Sequence, residues 1–179
     1  MPITGIRYPV NDRWVSILQN LLGTNYDVIE QGLPGRPAGN VDKEKPFKNG
    51  LEHFLSSVIP QTPIDILVIA LGTNDMKSEF SRTAEQIFAD LAEYNELVND
   101  YNIKCKLIFL TPFTFHVPII FDNASEKSKE IAKLFSVTSF DYLDLSNFEP
   151  KGKDRVHFTK EDHILYAKLV FEKINSLKN

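Results

Sequence analysis

The run Ile64-Asp65-Ile66-Leu67-Val68-Ile69-Ala70-Leu71 is apolar at every position but Asp65. A stretch this short and this continuously apolar cannot alternate between a wet and a dry face, so it predicts a parallel strand covered on both sides. Parallel neighbours need long crossovers, which here means helices between strands. The rest of the chain supplies them. Asn11 is placed to cap a helix in which Trp14, Ile17, Leu18, Leu21 and Leu22 share a face, with Gly23 as its stop. A short extended run, Tyr26 to Glu30, precedes a stretch rich in glycine and proline, and Asn49 opens a second short helix. Thr83 with Gln86 reads as a capping box for a long helix through Leu97. Lys106 to Leu110 is another strand, Asn123 with Glu126 opens a lysine-rich helix to about Phe135, Phe140 to Leu145 is a shorter strand, and Thr159 caps a last helix through Ile174.

This alternation predicts an α/β fold: a three-layer α/β/α, flavodoxin-like parallel sheet with helices on both faces. The 179 residues fit one domain spanning 1–179, and a chain of that size has no need of a metal or disulfide to fold. Cys105 is the single cysteine, which excludes an internal disulfide and a cysteine zinc cluster. The four histidines lack ligand spacing, so neither a metal nor a cofactor is expected. A net charge of −4 argues against a nucleic-acid partner, and no apolar run approaches the length that spans a bilayer. The first residues show no signal core, so a soluble cytoplasmic protein is expected.

In open α/β sheets ligands bind beyond the carboxyl ends of the strands, which directs attention to the loops that follow them. Gln31-Gly32-Leu33-Pro34-Gly35-Arg36 is either a tight strand exit or a turn that offers a backbone N–H to a ligand. In Gly72-Thr73-Asn74-Asp75 the Asn74 amide is placed to cap a helical turn or to donate to a developing oxyanion. Asp154 and His157, three residues apart just ahead of the last helix, can pair so that the carboxylate fixes the imidazole tautomer. The loop Pro112-Phe113-Thr114-Phe115-His116 offers Pro112, Phe113 and His116 as walls of a substrate pocket. A nucleotide-binding reading finds no phosphate-cradling glycine loop.

Taken together, Arg7-Tyr8-Pro9, Arg13-Trp14, Gly32-Leu33-Pro34-Gly35-Arg36, Asn49-Gly50-Leu51, Leu71-Gly72-Thr73-Asn74-Asp75 and Asp154-Arg155-Val156-His157-Phe158 resemble the SGNH, or GDSL-type, serine hydrolases, in particular their arylesterase-like branch. The resemblance runs from about Thr4 to the C-terminus. It implies an esterase or lipase-like acyl hydrolase acting on a small-molecule ester through an acyl-enzyme. It also implies roles: Gly35 N–H and the Asn74 side chain in the oxyanion hole, Asp154 and His157 as acid and base of a triad. Homo-oligomerisation through the 31–50 loop is compatible with it and is left open. Two residues depart from the branch: Pro34, where a polar residue is usual, and Arg155, where a small one is.

The family's nucleophile is the serine of a Gly-Asp-Ser that ends a first, central strand. No Gly-Asp-Ser occurs here, and Thr4-Gly5 followed by Arg7-Tyr8-Pro9 matches sequence that lies after that serine in relatives. Pro2, Gly5 and Pro9 prevent the first ten residues from replacing the strand. The expectation is therefore a chain that begins late, with the central strand missing, in preference to a catalytically inactive binding module, because Gly35, Asn74, Asp154 and His157 all persist.

Overall fold

The structure, a computed structural model, describes residues 7–117, 119–121 and 123–177. The Thr4-Gly5 match lies outside them. The chain divides into two compact units, one formed by the segments up to Gly32 and from Glu149 onward, the other by Leu33–Phe148.

The Leu33–Phe148 unit contains the sheet. Strands β1 (Ile66–Ile69), β2 (Lys106–Leu110) and β3 (Tyr142–Leu143) are parallel and stand in sequence order, with Ile66 opposite Lys106 and Phe109 opposite Tyr142. Helix α2 (Gly50–Val58) precedes β1, α3 (Ala84–Asp100) crosses from β1 to β2, and α4 (Ala124–Ser136) crosses from β2 to β3. Crossovers of one hand between sequential strands bring both helices to the same face, and α3 packs against α4 accordingly. Each helix buries one stripe: Ala84, Ile87, Leu91, Tyr94 and Val98 on α3, Ala124, Ser128, Ile131, Ala132 and Phe135 on α4. Ile108, Phe109 and Leu110 of the middle strand β2 are buried too, and Phe135 of α4 lies 5.3 Å from Phe109 between ring centres. At about 25 cal/mol per Å² of apolar surface, each such buried side chain contributes roughly 1.5–3 kcal/mol.

Several predicted boundaries shift, each for a local reason. β1 is shorter than the apolar run and its first three residues are only half-buried, because it is an edge strand that pairs with β2 alone among the described residues. β3 shrinks to two residues because Thr111 ends its ladder by accepting the Leu145 N–H on its own hydroxyl (2.8 Å). The Thr83–Gln86 capping box forms as expected. Asn123 adopts a left-handed conformation and makes no cap bond, while Asn49 turns its amide onto the Asp42 backbone and the Glu52 carboxylate instead of the α2 backbone.

The other unit packs α1 (Trp14–Leu22) against α5 (Lys160–Ser176). Trp14 and Phe158 both approach Tyr166, at 5.2 and 5.0 Å between ring centres. Asn11 does not cap α1, since residues 10–12 form a 3₁₀ turn of their own. The orphan Trp14 N–H finds the His163 Nδ1 at 3.3 Å instead. The predicted strand at 26–30 joins no ladder among the described residues. Its first polar groups go to one side chain: Gln19 accepts from Val28 N–H (2.7 Å) and donates to the Tyr26 carbonyl (2.9 Å). Capping boxes at Thr83 and Thr159 place a firm helix start shortly after each of two sequence blocks singled out above.

Candidate active site

The Leu33–Phe148 unit holds Gly35 and Asn74 together. Leu33 to Arg36 is a turn closed by Arg36 N–H donating to the Leu33 carbonyl (3.2 Å), with Gly35 at φ +76°. Proline then glycine at the two central positions, the second at positive φ, is the type II pattern. Pro34 is thus a preset for this turn, and the turn's own bond leaves the Gly35 N–H unused. Asn74 is the first residue of a short 3₁₀ turn, not its cap. Its Nδ2 donates to the Arg36 carbonyl at 3.2 Å. The capping alternative for Asn74 is therefore set aside: the bond pins the amide to the residue after Gly35 and leaves it a second N–H.

The strand of backbone after that turn is held at nearly every polar group. Pro37 and Ala38 carbonyls accept from Gly50 and Leu51 N–H, the buried start of α2, both at 3.1 Å. Gly50 is required there, since a Cβ would stand 2.7 and 2.8 Å from those two carbonyl oxygens. Tyr94 Oη donates to the Ala38 carbonyl as well (2.7 Å). Asp75, fully buried, accepts from Ala38 N–H at 2.7 Å and Gly39 N–H at 3.0 Å. Burial pushes its carboxyl up to about 6, against the lowering effect of those two bonds. Burial likewise raises the Tyr94 phenol, with the Asp75 charge adding to it. Sequence reading assigned no role to Asp75, Tyr94 or Gly50. The available signal was a carboxylate next to Asn74 and followed by Met76.

The loop ahead of α5 holds the other pair. Asp154 Oδ2 lies 2.6 Å from His157 Nδ1, and its Oδ1 accepts from the backbone N–H of Val156 (3.1 Å) and His157 (2.9 Å). Burial pushes the Asp154 carboxyl up, but these three hydrogen bonds and the imidazole charge outweigh it and hold the group below its ordinary value. An ionised carboxylate only accepts, so Nδ1 carries the proton and Nε2 keeps its lone pair. The His157 side chain is 46% exposed. Arg155 sits at φ +58°, the left-handed region where a small residue is at ease, which accounts for the branch's preference at this position.

Of the proposed pocket residues, Pro112 is buried against Gly72 and accepts from Ser128 Oγ at its carbonyl. Phe113 packs on Phe115 and Phe148, and His116 is exposed. Phe113 is thus committed to an aromatic cluster. An open depression of about 930 Å³ in the same unit is lined by Ser78, Arg82, Ile119, Lys127 and Glu130 among others, none of them a candidate site residue. Among the described residues no group of His, Cys, Asp and Glu could hold a metal ion, and no helix is long and apolar enough to cross a membrane.

No family model and no curated protein matches the sequence. Solved structures do. An aryl esterase of M. smegmatis is 26% identical with a TM-score of 0.87, over 96% of this chain and 88% of that one. A carbohydrate acetylesterase from Sinorhizobium meliloti is 25% identical with a TM-score of 0.85, over 96% and 88%. A lipase/acylhydrolase from Enterococcus faecalis shares the fold at 18% identity and a TM-score of 0.68, over 91% and 85%. The chain carries the SGNH-hydrolase fold and is similar in structure to these esterases, while with the acylhydrolase it shares the fold alone.

Proposed function

We propose that this chain carries the machinery of an ester hydrolase that works by acyl transfer to a serine. His157 Nε2 takes the serine proton and returns it to the leaving alcohol. Asp154 holds the imidazole in that tautomer and offsets the charge it gains. The Gly35 N–H and the free Asn74 N–H receive the oxyanion, and the bonds that fix residues 36–39 mean that little reorganisation is needed as charge develops. The observation that carries the reading is the Asp154–His157 pair at 2.6 Å, formed in the block where the resemblance requires acid and base. Short-acyl esters of phenols or of sugars are the substrate classes, after the two esterase types named among the neighbours. The reading involves no nucleic acid, membrane or cofactor, and it leaves self-association open.

The serine is the one participant not present as Gly-Asp-Ser in this sequence. The reading is tested by expressing the chain with the sequence encoded ahead of Met1 and assaying phenyl acetate and acetylated xylose. Serine-dependent turnover is expected. Asn74→Ala should lower kcat by about 10²–10³-fold, and His157→Ala should abolish all but residual activity. Unchanged turnover in His157→Ala would remove that residue from its role. The missing block favours one alternative, a catalytically inactive binding module, and an upstream frame without Gly-Asp-Ser would select it.

A further inference from the structure

The turn that presents Gly35 carries positive charge that the acyl-transfer steps do not use. Lys48 Nζ lies 3.1 Å from the point where a Cβ on Gly35 would stand. The backbone of the lysine is fixed. Lys48 ends the 3₁₀ turn Pro46–Lys48, and its N–H donates to the Lys45 carbonyl at 2.9 Å. The start of α2, immediately after Asn49, is bonded to the Pro37 and Ala38 carbonyls, so the segment bearing Lys48 is tied to the one that follows Gly35. Lys48 is half-buried yet forms no ion pair among the described residues. Arg36, the residue after Gly35, is also half-buried without an ion pair, and its buried Nε has no hydrogen-bond partner among the described residues. Its charge is felt in the interior, where it opposes the rise that burial imposes on the Tyr94 phenol.

A half-buried cation without a counter-ion has given up hydration and received nothing in its place. Arg7, Arg13, Lys77, Arg82 and Lys160 avoid that state by meeting a carboxylate. Acids are plentiful, 24 against 20 basic residues, yet none pairs with either cation at the Gly35 turn. We propose that Lys48, with Arg36 as the second cation of the turn, is a specificity-determining residue that selects esters carrying a negative charge close to the scissile bond. The substrate anion supplies the counter-ion that the fold withholds, through a charge-assisted hydrogen bond from the ammonium. Long-range attraction does not account for such a preference, because a chain of net charge −4 repels anions as a whole. The selection is local. It rests on the ester site proposed above and refines it. Half-esters of dicarboxylic acids, or acyl esters of hydroxy acids, are then better ligands than the neutral phenyl and sugar acetates. Neither cation moves a proton or forms a bond in the reaction.

The test is a binding titration of the 179-residue chain at low ionic strength, read by NMR at the Gly35 amide and the Asn74 side-chain amide, so it needs no turnover. Monomethyl succinate places the charge on the acyl side of the ester, and acetoxyacetate places it on the alcohol side. Each is compared with its neutral methyl ester, dimethyl succinate or methyl acetoxyacetate. At least one anion should bind about tenfold more tightly than its neutral twin, the lower end for a hydrogen bond to a charged group, and the one that does so identifies the side. Lys48→Gln should bring the twins level, and Lys48→Arg should keep most of the difference. Lys45→Gln, which removes an exposed charge from the same segment, should leave the difference intact. Anions no tighter than their twins, a preference that survives Lys48→Gln, or one that Lys45→Gln removes equally would each overturn the proposal. The amide spectrum shows whether Lys48→Gln is folded; should it not be, the parent chain and Lys48→Arg decide between the same outcomes. Failure of the ester-site reading leaves a different pattern. A Lys48-dependent preference that shifts neither reporter amide and is untouched by Asn74→Ala would uphold the charge selection and overturn the ester site.

Discussion

Asp75 should impose a measurable pH slope on stability. In the folded chain its carboxyl sits at about 6, against 3.8 for the free group, because burial disfavours its charge more than the Ala38 and Gly39 N–H groups favour it. Between those values the folded state holds a proton that the unfolded state has released. Stability must then fall as pH rises through that interval. The difference corresponds to roughly 3 kcal/mol at 1.36 kcal/mol per pH unit, a large share of the 5–15 kcal/mol typical of a domain. Asp75→Asn abolishes the titration. It also turns an NH₂ toward one of the two N–H donors, which leaves that donor unsatisfied at a cost of about 1–3 kcal/mol. Urea unfolding of both chains, followed by far-UV circular dichroism from about pH 4 to pH 7, should show the parent ahead at the acid end. The gap should close toward neutrality as the parent pays for its buried charge. A constant gap, or one that widens with pH, would refute the claim that burial dominates at this carboxylate.

Four further outcomes follow from the same geometry. Gly50→Ala should destabilise the Leu33–Phe148 unit by about 1–3 kcal/mol, as overpacking does, because its Cβ would press on two backbone carbonyls; urea midpoints measure it. Arg155→Asn should stabilise the chain by about 0.5–1 kcal/mol by relieving the left-handed backbone at that position, seen as a raised thermal midpoint. Thr159→Ala should cost about 1 kcal/mol through loss of the α5 capping box, with faster amide exchange in the first turn of the helix. His163, whose imidazole is held below its ordinary value by burial, accepts the Trp14 N–H only when neutral; stability of the α1–α5 unit should therefore decline as pH falls below the usual imidazole range, and His163→Gln should flatten that decline in a Trp14 fluorescence titration.

The parts of this fold that were legible in sequence are those governed by a local rule with one outcome. Thr83 with Gln86 and Thr159 ahead of α5 each satisfy their own helix start, and both boxes form. The Pro34-Gly35 pair dictates a type II turn, and Asp-x-x-His closes on itself within one loop. What escaped is what depends on partners distant in the chain. Asn11 and Asn49 have good capping chemistry, yet a 3₁₀ turn and the Asp42 backbone outcompete it. Tyr26 to Glu30 has strand-like residues but no strand beside it among the described residues, and Gln19 takes its first hydrogen bonds. Asp75 is the sharpest case. In sequence it is a polar residue after Asn74, suited to solvent. In the structure it is buried because residues 38 and 39, thirty-odd positions earlier, present two N–H groups that have no other acceptor among the described residues. A motif read as a string therefore names Asn74, the residue proposed to face substrate, and passes over the one that holds the neighbouring backbone still. The general consequence is physical: polar groups directed at a ligand are left open by the fold and look like a motif, whereas the groups that preorganise them are satisfied internally and can be found only by asking where each buried backbone N–H finds its acceptor.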